Sequence, residues 1–462
     1  MQTIKHDLGL RTVKFLPILL VTIPFALCWY MFFADSILHP FFNKGNWVII
    51  ALFVVFYVTL ARIYDAFTIS FHKIGELVYS QCLAVLVADG IMFMILWLLN
   101  HLFPNILPCL VTLLAQMILV SLWAWGAQKW YYRVFPPAKT AVVFEGNQDV
   151  SAMIQAYGLE KKFDICTTLQ ASECVDDLNM LNEFEAVFVH GVQSHERNLI
   201  LKHCVMRNIS VYFLPRIGDI ILGGAQRIHM FHVPVFRVDR WNPHPEYKFI
   251  KRLFDIVVSL IILVLTSPVM LATAIIIKAT DGGPVFYKQD RLTKDGAIFR
   301  LIKFRSMRVD AEKDGVARLS TGDKDDRITP IGRIIRKVRI DELPQLLNIL
   351  SGSMSIVGPR PERPEIAAQY EQTLPEFCLR LQVKAGLTGY AQVFGKYNTT
   401  PYDKLQMDLM YIANPSFVED MKIMLATVKI LFQPESTDGV AEGQTTAAAE
   451  TLERDRELEE VK

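Results

Sequence analysis

The chain has 462 residues, of which 52% are apolar and only 21% charged, and its formal net charge is +1. Soluble chains are typically about 45–50% apolar and about 25% charged, and here the apolar excess is concentrated near the N-terminus and in one later block, which excludes an ordinary soluble enzyme. The near-neutral charge argues against nucleic acid as the main partner. The seven cysteines form no CxxC pair, a pattern typical of reduced thiols and not of a disulfide framework or a zinc site.

Four apolar stretches occur early in the chain: Phe15–Phe33, Trp47–Ala61, Val78–Leu99 and Ile106–Gln128. A helix needs roughly 20 apolar residues to cross a bilayer, and the second stretch lies near the lower limit. Residues 1–135 are therefore predicted to form a bundle of four transmembrane helices. The first stretch is not expected to be a signal peptide, because its apolar run is too long and no small-residue cleavage site follows it.

The basic residues around these stretches predict the orientation of the chain in the membrane. Three segments are basic: the N-terminus, the loop between the second and third stretches, and the segment after the fourth. They contain Lys5, Arg11, Lys14, Arg62, Lys73, Lys129, Arg133 and Lys139. The two other loops contain Lys44 alone. Since basic loops stay in the cytoplasm, everything after the fourth stretch is expected to begin on the cytoplasmic side.

Residues 136–240 change to short β-rich runs that alternate with helical ones. The runs 140–144, 186–189 and 209–214 are separated in part by the amphipathic stretch Glu196–Arg207, which predicts a small parallel, Rossmann-like cytoplasmic domain. The turn after the first run has a single glycine, so the Gly-x-Gly-x-x-Gly fingerprint of a dinucleotide site is absent. A spacing or dimerising role is favoured over a cofactor site. A homodimer is one option for the oligomeric state, which the sequence leaves open.

The apolar stretch Leu253–Ile277 is long enough to span a membrane, yet three features argue against a crossing. Both of its flanks are basic, Asp255 lies near its start, and Ser267-Pro268 lies in its middle. Proline removes a backbone hydrogen bond and kinks a helix. A re-entrant helix that enters the cytoplasmic leaflet and returns is predicted, with a kinked true span as the alternative.

The segment 241–434 contains a group of charged residues that predicts chemistry. Asp341-Glu342 precedes the helical run Leu343–Leu350, and a helix N-terminus favours ionised carboxylates. Nearby in sequence lie Lys303, Arg305, Arg327, Arg336, Arg339 and Arg360. Arginine binds phosphate oxygens bidentately, and carboxylates hold Mg²⁺ against a polyphosphate, so the cluster predicts a polyphosphate site. The alternative is a helix cap with a solvated basic face.

The motifs of this segment carry a resemblance. Lys-Phe-Arg-Ser-Met at 303–307, Asp-Glu-Leu-Pro-Gln at 341–345 and Val-Gly-Pro-Arg-Pro at 357–361 follow one another as in the bacterial sugar transferase family. These are the monotopic phosphoglycosyl transferases that start capsule, O-antigen and exopolysaccharide assembly. The four N-terminal stretches and the α/β segment resemble the large members. The resemblance implies a membrane α plus α/β protein with a re-entrant-helix catalytic domain, located in the bacterial inner membrane with its active site facing the cytoplasm.

The resemblance further implies a reaction and its residues. Asp341 would attack the sugar-linked phosphate of a UDP-sugar and release UMP, and undecaprenyl phosphate would then take the phosphosugar from the aspartate. Glu342 matches the position that binds Mg²⁺. Four basic residues match phosphate-contacting positions: Lys303, Arg305, Arg336 and Arg360. Ser267-Pro268 matches the helix-break pair of the re-entrant helix. Membrane lipid is then a further partner.

Other parts of the segment leave choices open. Pro359, Pro361, Gly386 and Thr388 are predicted to shape a sugar or uridine pocket, with a structural turn as the alternative for the last two. UDP-glucose and UDP-galactose are the favoured donors, which the residues do not separate. Two other classes remain: a non-enzymatic scaffold, and a glycosyltransferase that releases UDP and holds its metal with Asp323-Lys-Asp325. The acidic tail 435–462 is predicted to be mobile.

Overall fold

The structure is a computed structural model that describes residues 2–41, 44–100, 102–145, 159–241, 243–309, 311, 327–395 and 400–431. It divides into two compact units, Met1–Leu214 and Pro215–Lys462. The predicted tail 435–462 and the Asp323-Lys-Asp325 motif lie outside the described residues.

The first unit begins with four long helices, α1 (Gln2–Cys28), α2 (Gly45–Ile63), α3 (Ile74–Asn100) and α4 (Ile106–Val134). A π-helical turn at Trp29–Phe33 extends α1. Among the described residues, five helices are long and apolar enough to cross a membrane: Leu8–Phe33, Gly45–Ile63, Ile74–Asn100, Ile106–Val134 and Pro245–Thr280. Each of the four early apolar stretches lies inside one of them. Which of the five cross the bilayer stays a prediction, because length and composition alone do not decide it.

A four-stranded sheet completes the first unit. Its strands are β1 (Ala138–Phe144), β2 (Phe163–Gln170), β3 (Ala186–His190) and β4 (Ser210–Phe213), and helices α5 (Ala171–Asp176) and α6 (Ser194–Met206) connect them. All neighbouring strands are parallel, in the order β2-β1-β3-β4. The predicted parallel α/β segment is thus confirmed, with three of its strands and the amphipathic helix in place. Strand β2 was not predicted.

The carboxyl edge of this sheet carries a carboxylate held by neutral donors. In this strand order, the strands that follow β1 and β3 in the chain lie on opposite sides of the β1–β3 pair, and doubly wound folds bind ligands at such a point. There, the Glu145 carboxylate accepts hydrogen bonds from the backbone N–H of Gln193 and from its side-chain amide, both at 3.0 Å. Gly191, at φ +71°, lets the two segments approach, since a Cβ at this position would lie 2.7 Å from the Glu145 carbonyl oxygen. The chain's own carboxylate therefore caps the start of α6.

The second unit starts earlier than the boundary at residue 240 that the sequence suggested. Helix α7 (Ile217–Gly223) and the hairpin β5 (Gln226–Met230) and β6 (Val233–Arg237) belong to it. Ile220 of α7 is buried in the same hydrophobic core as Leu346 and Leu409. This packing, which the local pattern does not reveal, assigns the segment to the later unit.

Helix α8 (Pro245–Asp281) is helical over 37 residues, with Pro268 inside it. The bend expected at Ser267-Pro268 stays a prediction. Pro268 cannot donate to the carbonyl of Val264, four residues earlier. The Ser267 hydroxyl donates to that same carbonyl at 2.8 Å. A serine hydroxyl thus satisfies the acceptor that proline leaves, as is typical where proline is tolerated in apolar helices. The re-entrant course of α8 stays a prediction.

The rest of the second unit packs around short elements. An antiparallel hairpin of β7 (Phe286–Leu292) and β8 (Ile298–Phe304) follows α8, and β9 (Ser355–Val357) and β10 (Gly386–Thr388) pair in parallel. The helices are α9 (Pro330–Lys337), α10 (Gln345–Ser351), α11 (Pro364–Thr373), α12 (Tyr390–Phe394), α13 (Pro401–Ala413) and α14 (Phe417–Leu431). Two 3₁₀ turns, Ile340–Glu342 and Pro375–Gln382, separate some of them.

Polar contacts join the first part of α8 to these elements. Arg252 donates to the carbonyl oxygens of Ile349 and Leu350 at 2.6 and 2.8 Å, at the C-terminal end of α10. The buried Asp255 carboxylate accepts from the Ser355 hydroxyl at 2.8 Å and from the Ile356 N–H at 3.1 Å. The apolar helix α8 is therefore fixed to α10, the helix that follows the acidic pair, and to β9, the next strand in the chain.

Candidate active site

The acidic pair Asp341-Glu342 lies in the 3₁₀ turn between α9 and α10. Arg339, just before the turn, has φ +55°, a left-handed conformation that costs a non-glycine residue about 1–2 kcal/mol. Pro344 then precedes α10, where its missing N–H costs no helical hydrogen bond. The sequence analysis placed the acidic pair at the start of the helical run. In the structure the pair forms a 3₁₀ turn of its own, just before α10.

Glu342 is held by two cations. Its Oε1 atom lies 2.9 Å from Lys303 Nζ, in β8, and 3.2 Å from Arg360 Nη2. Burial alone would raise the pKa of Glu342, but the charges of Lys303, Arg360 and Arg339 outweigh it and hold the pKa well below its usual range. Glu342 is therefore ionised throughout the physiological range.

Asp341 has different surroundings. It is 9% exposed, and no ion pair reaches its carboxylate among the residues that the structure describes. Burial and the neighbouring charge of Glu342 raise the pKa of Asp341 to about 6, against the opposing influence of Lys303, Arg336 and Arg360. Near pH 7 this carboxylate is ionised yet poorly neutralised, the state that suits a nucleophile.

A pocket opens beside Glu342, and Asp341 is not among its lining residues. Its lining residues are Arg291, Leu301, Lys303, Glu342, Gln345, Arg360, Pro361, Gly386, Leu387 and Gln392. Five of these were predicted as site residues, and they are brought together from β8, the 3₁₀ turn, the segment after β9, and β10. The pocket therefore combines three cations and one carboxylate with neutral amide and apolar surface, a set that suits a phosphate ester with an uncharged part.

The other predicted residues lie outside this lining. Arg336 is close enough to lower the pKa of Asp341. Arg305 is buried and packs against Gly283, just after α8. The Pro359 carbonyl accepts from the Gly386 N–H at 2.9 Å, and the Thr388 hydroxyl lies 2.6 Å from that of Thr427 in α14. The structure thus gives Pro359 and Thr388 internal contacts, and the phosphate roles of Arg305 and Arg336 stay predictions.

Sequence reasoning missed several residues of the pocket. Gln345 closes the motif that begins with Asp341, so its position was a readable signal. Arg291 lies in β7 and Gln392 in α12, and neither stands in a motif quoted above. Only the folded chain brings them beside Glu342.

The carboxylates at this site fit Mg²⁺ as an ion that is bound together with substrate phosphates. Among the described residues, no group of three or more His, Cys, Asp or Glu side chains converges on a metal position. Mg²⁺ is commonly bound through one or two carboxylates together with substrate phosphates and waters. Within the part of the chain that the structure describes, the two ion pairs of Glu342 use Oε1, so Oε2 can serve as a metal ligand. The site therefore fits Mg²⁺ that arrives with a phosphate-bearing substrate.

Comparison with known proteins identifies the family to which this segment is similar. A model of the family described as bacterial sugar transferase matches residues 246–434. The chain is 39% identical to a UDP-glucose:undecaprenyl-phosphate glucose-1-phosphate transferase of Caulobacter vibrioides over 191 residues, 40% of this chain and 71% of the relative. It is 42% identical to the exopolysaccharide production protein PSS of Rhizobium leguminosarum bv. phaseoli over 188 residues, 39% of this chain and 93% of that one.

A longer match extends farther along the chain. A UDP-N-acetylgalactosamine-undecaprenyl-phosphate N-acetylgalactosaminephosphotransferase of Aeromonas hydrophila is 38% identical over 234 residues, 50% of this chain. The match spans about half of that relative, 54% of its length. The matched family segment contains the acidic pair and the described residues of the pocket.

Proposed function

The chain belongs to the bacterial sugar transferase family, and from that premise we propose that it transfers hexose 1-phosphate from a UDP-sugar to undecaprenyl phosphate. The observation that carries the proposal is the unequal pair: Glu342 is clamped by Lys303 and Arg360, whereas the adjacent Asp341 has a pKa raised to about 6. Two neighbouring carboxylates with such different surroundings suit two different tasks.

The proposed chemistry proceeds in two displacements. An Asp341 carboxylate oxygen attacks the phosphorus that bears the sugar, the bond to the bridging oxygen of the diphosphate breaks, and UMP leaves. A phosphate oxygen of undecaprenyl phosphate then attacks the same phosphorus, and the aspartate is released as a carboxylate. A covalent intermediate divides one difficult transfer into two easier ones. Lys303 and Arg360 stabilise the negative charge that gathers on the migrating phosphoryl group.

Mg²⁺ is part of the proposal through Glu342. The free oxygen of that carboxylate would hold the ion together with phosphate oxygens of the substrate. When bound, the ion supplies neutralisation of charge on the diphosphate. Lys303 and Arg360 keep Glu342 ionised and oriented, so the chain provides a ready ligand without a dedicated cage of carboxylates.

The donor sugar is the open part of the proposal. The names of the relatives include glucose, galactose and N-acetylgalactosamine, each for its own protein. We take UDP-glucose or UDP-galactose as the first donors to test. We place the reaction at the cytoplasmic face of the inner membrane, because the basic loops beside α1–α4 favour that orientation and α8 offers an apolar surface to lipid.

Nucleotide release tests the proposal directly. Purified full-length protein in lipid nanodiscs is incubated with a panel of UDP-sugars, Mg²⁺ and undecaprenyl phosphate, and the nucleotide products are separated. UMP is the expected product. UDP would support a glycosyltransferase instead, and no release with any sugar would support a scaffold. Exchange of labelled UMP into UDP-sugar without the lipid acceptor is expected only for the two-step route.

A further inference from the structure

The segment Gly358–Glu362, which carries Arg360, is fixed through its carbonyl groups. Two of its five residues are prolines, which have no N–H to donate. Four successive carbonyls accept hydrogen bonds from elsewhere in the second unit. The Pro359 oxygen accepts from Gly386 N–H at 2.9 Å, and the Glu362 oxygen from Leu292 N–H at 2.9 Å. The two carbonyls between them accept from arginine side chains.

Those two arginines differ in position. Arg291 Nη1 donates to the Pro361 oxygen at 2.9 Å, and Arg291 also lines the pocket. Arg380 Nη2 donates to the Arg360 oxygen at 3.0 Å, yet Arg380 is only 2% exposed and does not line the pocket. Arg380 therefore contacts the backbone of Arg360 from the protein interior and not from the substrate side.

A buried network holds the Arg380 guanidinium in place. Nε and Nη2 lie 2.9 and 2.7 Å from Oδ2 of Asp408, which is 1% exposed. Nη1 lies 3.4 Å from Glu362 Oε1, which also accepts from Lys404 at 3.0 Å. Two cations and two carboxylates balance, so the network needs no external ion. Buried charge pairs add little net stability over apolar packing and serve best to fix a geometry.

We propose that Arg380, held by Asp408 and Glu362, is a positioning residue that fixes the backbone from which Arg360 reaches Glu342 and the substrate phosphate. Its planar fork bonds the Asp408 carboxylate and the Arg360 carbonyl at fixed angles, a geometry that the flexible ammonium group of lysine does not reproduce. The inference rests on the proposed function, because the distance from Arg360 to a phosphate matters only if that transfer occurs.

A double-mutant cycle with Arg360 tests the coupling. Arg380→Met is expected to lower kcat/KM for UMP release about 10- to 100-fold, the loss that misplacement by about 1 Å can cause. In the Arg360→Met background the same substitution is expected to change kcat/KM less than about twofold, since the group that it positions is gone. Equal losses in both backgrounds would overturn the proposal. Arg380→Lys is expected to restore only part of the rate.

Matched variants separate positioning from folding. Lys251→Met removes a cation from another largely buried pair, with Asp420 at 2.9 Å, that does not touch the loop. Its effect on kcat/KM is expected to be the same with and without Arg360. If Arg380→Met fails to fold, Arg380→Met/Asp408→Asn removes both charges of the pair, takes its place in the cycle, and is judged by the same criterion.

Hydrogen exchange supplies a readout that does not depend on activity. In Arg380→Met, or in the double variant, the backbone amides of Gly358, Arg360 and Glu362 are expected to exchange about tenfold faster, while those of β1 are unchanged. Unchanged exchange in the loop would overturn the inference. If the wild-type protein releases no nucleotide from any UDP-sugar, the proposed function fails, and the exchange result alone then decides whether Arg380 fixes the loop.

Discussion

Two regions of this molecule each place a carboxylate beside a helix start, and they use it in opposite ways. At the edge of the small sheet, Glu145 accepts two hydrogen bonds from Gln193, one from the backbone and one from a neutral amide. In the second unit, Asp341 and Glu342 lie side by side within a field of lysine and arginine charge. The first carboxylate completes a structure, whereas in the second pair one member, Asp341, is the proposed nucleophile.

The difference lies in what surrounds the oxygen atoms. Glu145 occupies the place where a doubly wound sheet ordinarily receives a ligand, and so it favours a structural role for that edge. Glu342 takes both ion pairs of its site, which leaves Asp341 with a neighbour of like charge. The cations around Asp341 and Glu342, and the pocket beside Glu342, favour a reactive pair over a helix cap. Substitutions at the acidic pair or at the sheet edge test this contrast.

The largest effect is expected for the proposed nucleophile. Asp341→Asn should lower UMP release by more than about 1000-fold and prevent the covalent phosphosugar, because an amide oxygen is a poor nucleophile and cannot form the acyl phosphate. Glu145→Gln is the matched control and should retain the rate within about twofold. Mass spectrometry of protein quenched with UDP-sugar alone locates the adduct. An adduct on another side chain, or a working Asp341→Asn enzyme, would contradict the assignment.

A smaller loss is expected at the clamped partner. Glu342→Gln leaves Lys303 and Arg360 without their carboxylate and removes a charged ligand for the ion. UMP release should fall about 100-fold, a typical loss for one electrostatic contribution to catalysis, and the Mg²⁺ concentration for half-maximal rate should rise. A titration of rate against Mg²⁺ measures both. An unchanged midpoint would exclude Glu342 as the metal ligand.

The pH dependence follows from the pKa of Asp341. Since this pKa is raised from 3.8 to about 6, the acid form persists to higher pH, and only about a tenth of the chains carry the attacking carboxylate at pH 5. The rate of UMP release without lipid acceptor should therefore fall about tenfold per pH unit below 6. Glu145→Gln should leave this profile unchanged. A rate that stays level down to pH 4.5 would show that Asp341 is not the group that must be ionised.

Sequence patterns predicted the elements whose signal is local. The apolar runs located the helices, and three strands of the small sheet followed from β-branched residues. Strand β2 also alternates, with Phe163, Ile165 and Leu169 facing inward and polar residues between them, but its apolar run is too interrupted to stand out. The acidic pair and its basic partners were predictable because short motifs carry them.

The remainder depends on contacts that only the folded chain creates. Gln392 and Arg291 lie far apart in sequence yet line one pocket. The hydrogen bond from the Ser267 hydroxyl to the Val264 carbonyl, which Pro268 leaves without its usual donor, is likewise a contact that the sequence pattern does not specify. The burial of Ile220 of α7 in the core of the second unit is also a contact that the local pattern does not reveal.

The smallest effect is expected on the structural side of the contrast. Gly191→Ala places a methyl group 2.7 Å from the Glu145 carbonyl oxygen at φ +71° and should lower the free energy of unfolding by about 1–3 kcal/mol. Gly296→Ala, at φ +75° with open space around it, controls for the backbone strain alone and should cost less. Chemical denaturation compares the two variants. Because the sheet edge takes no part in the proposed chemistry, the rate per folded Gly191→Ala molecule should equal that of the wild type, and a loss of rate at full folding would show that the sheet edge also serves the reaction.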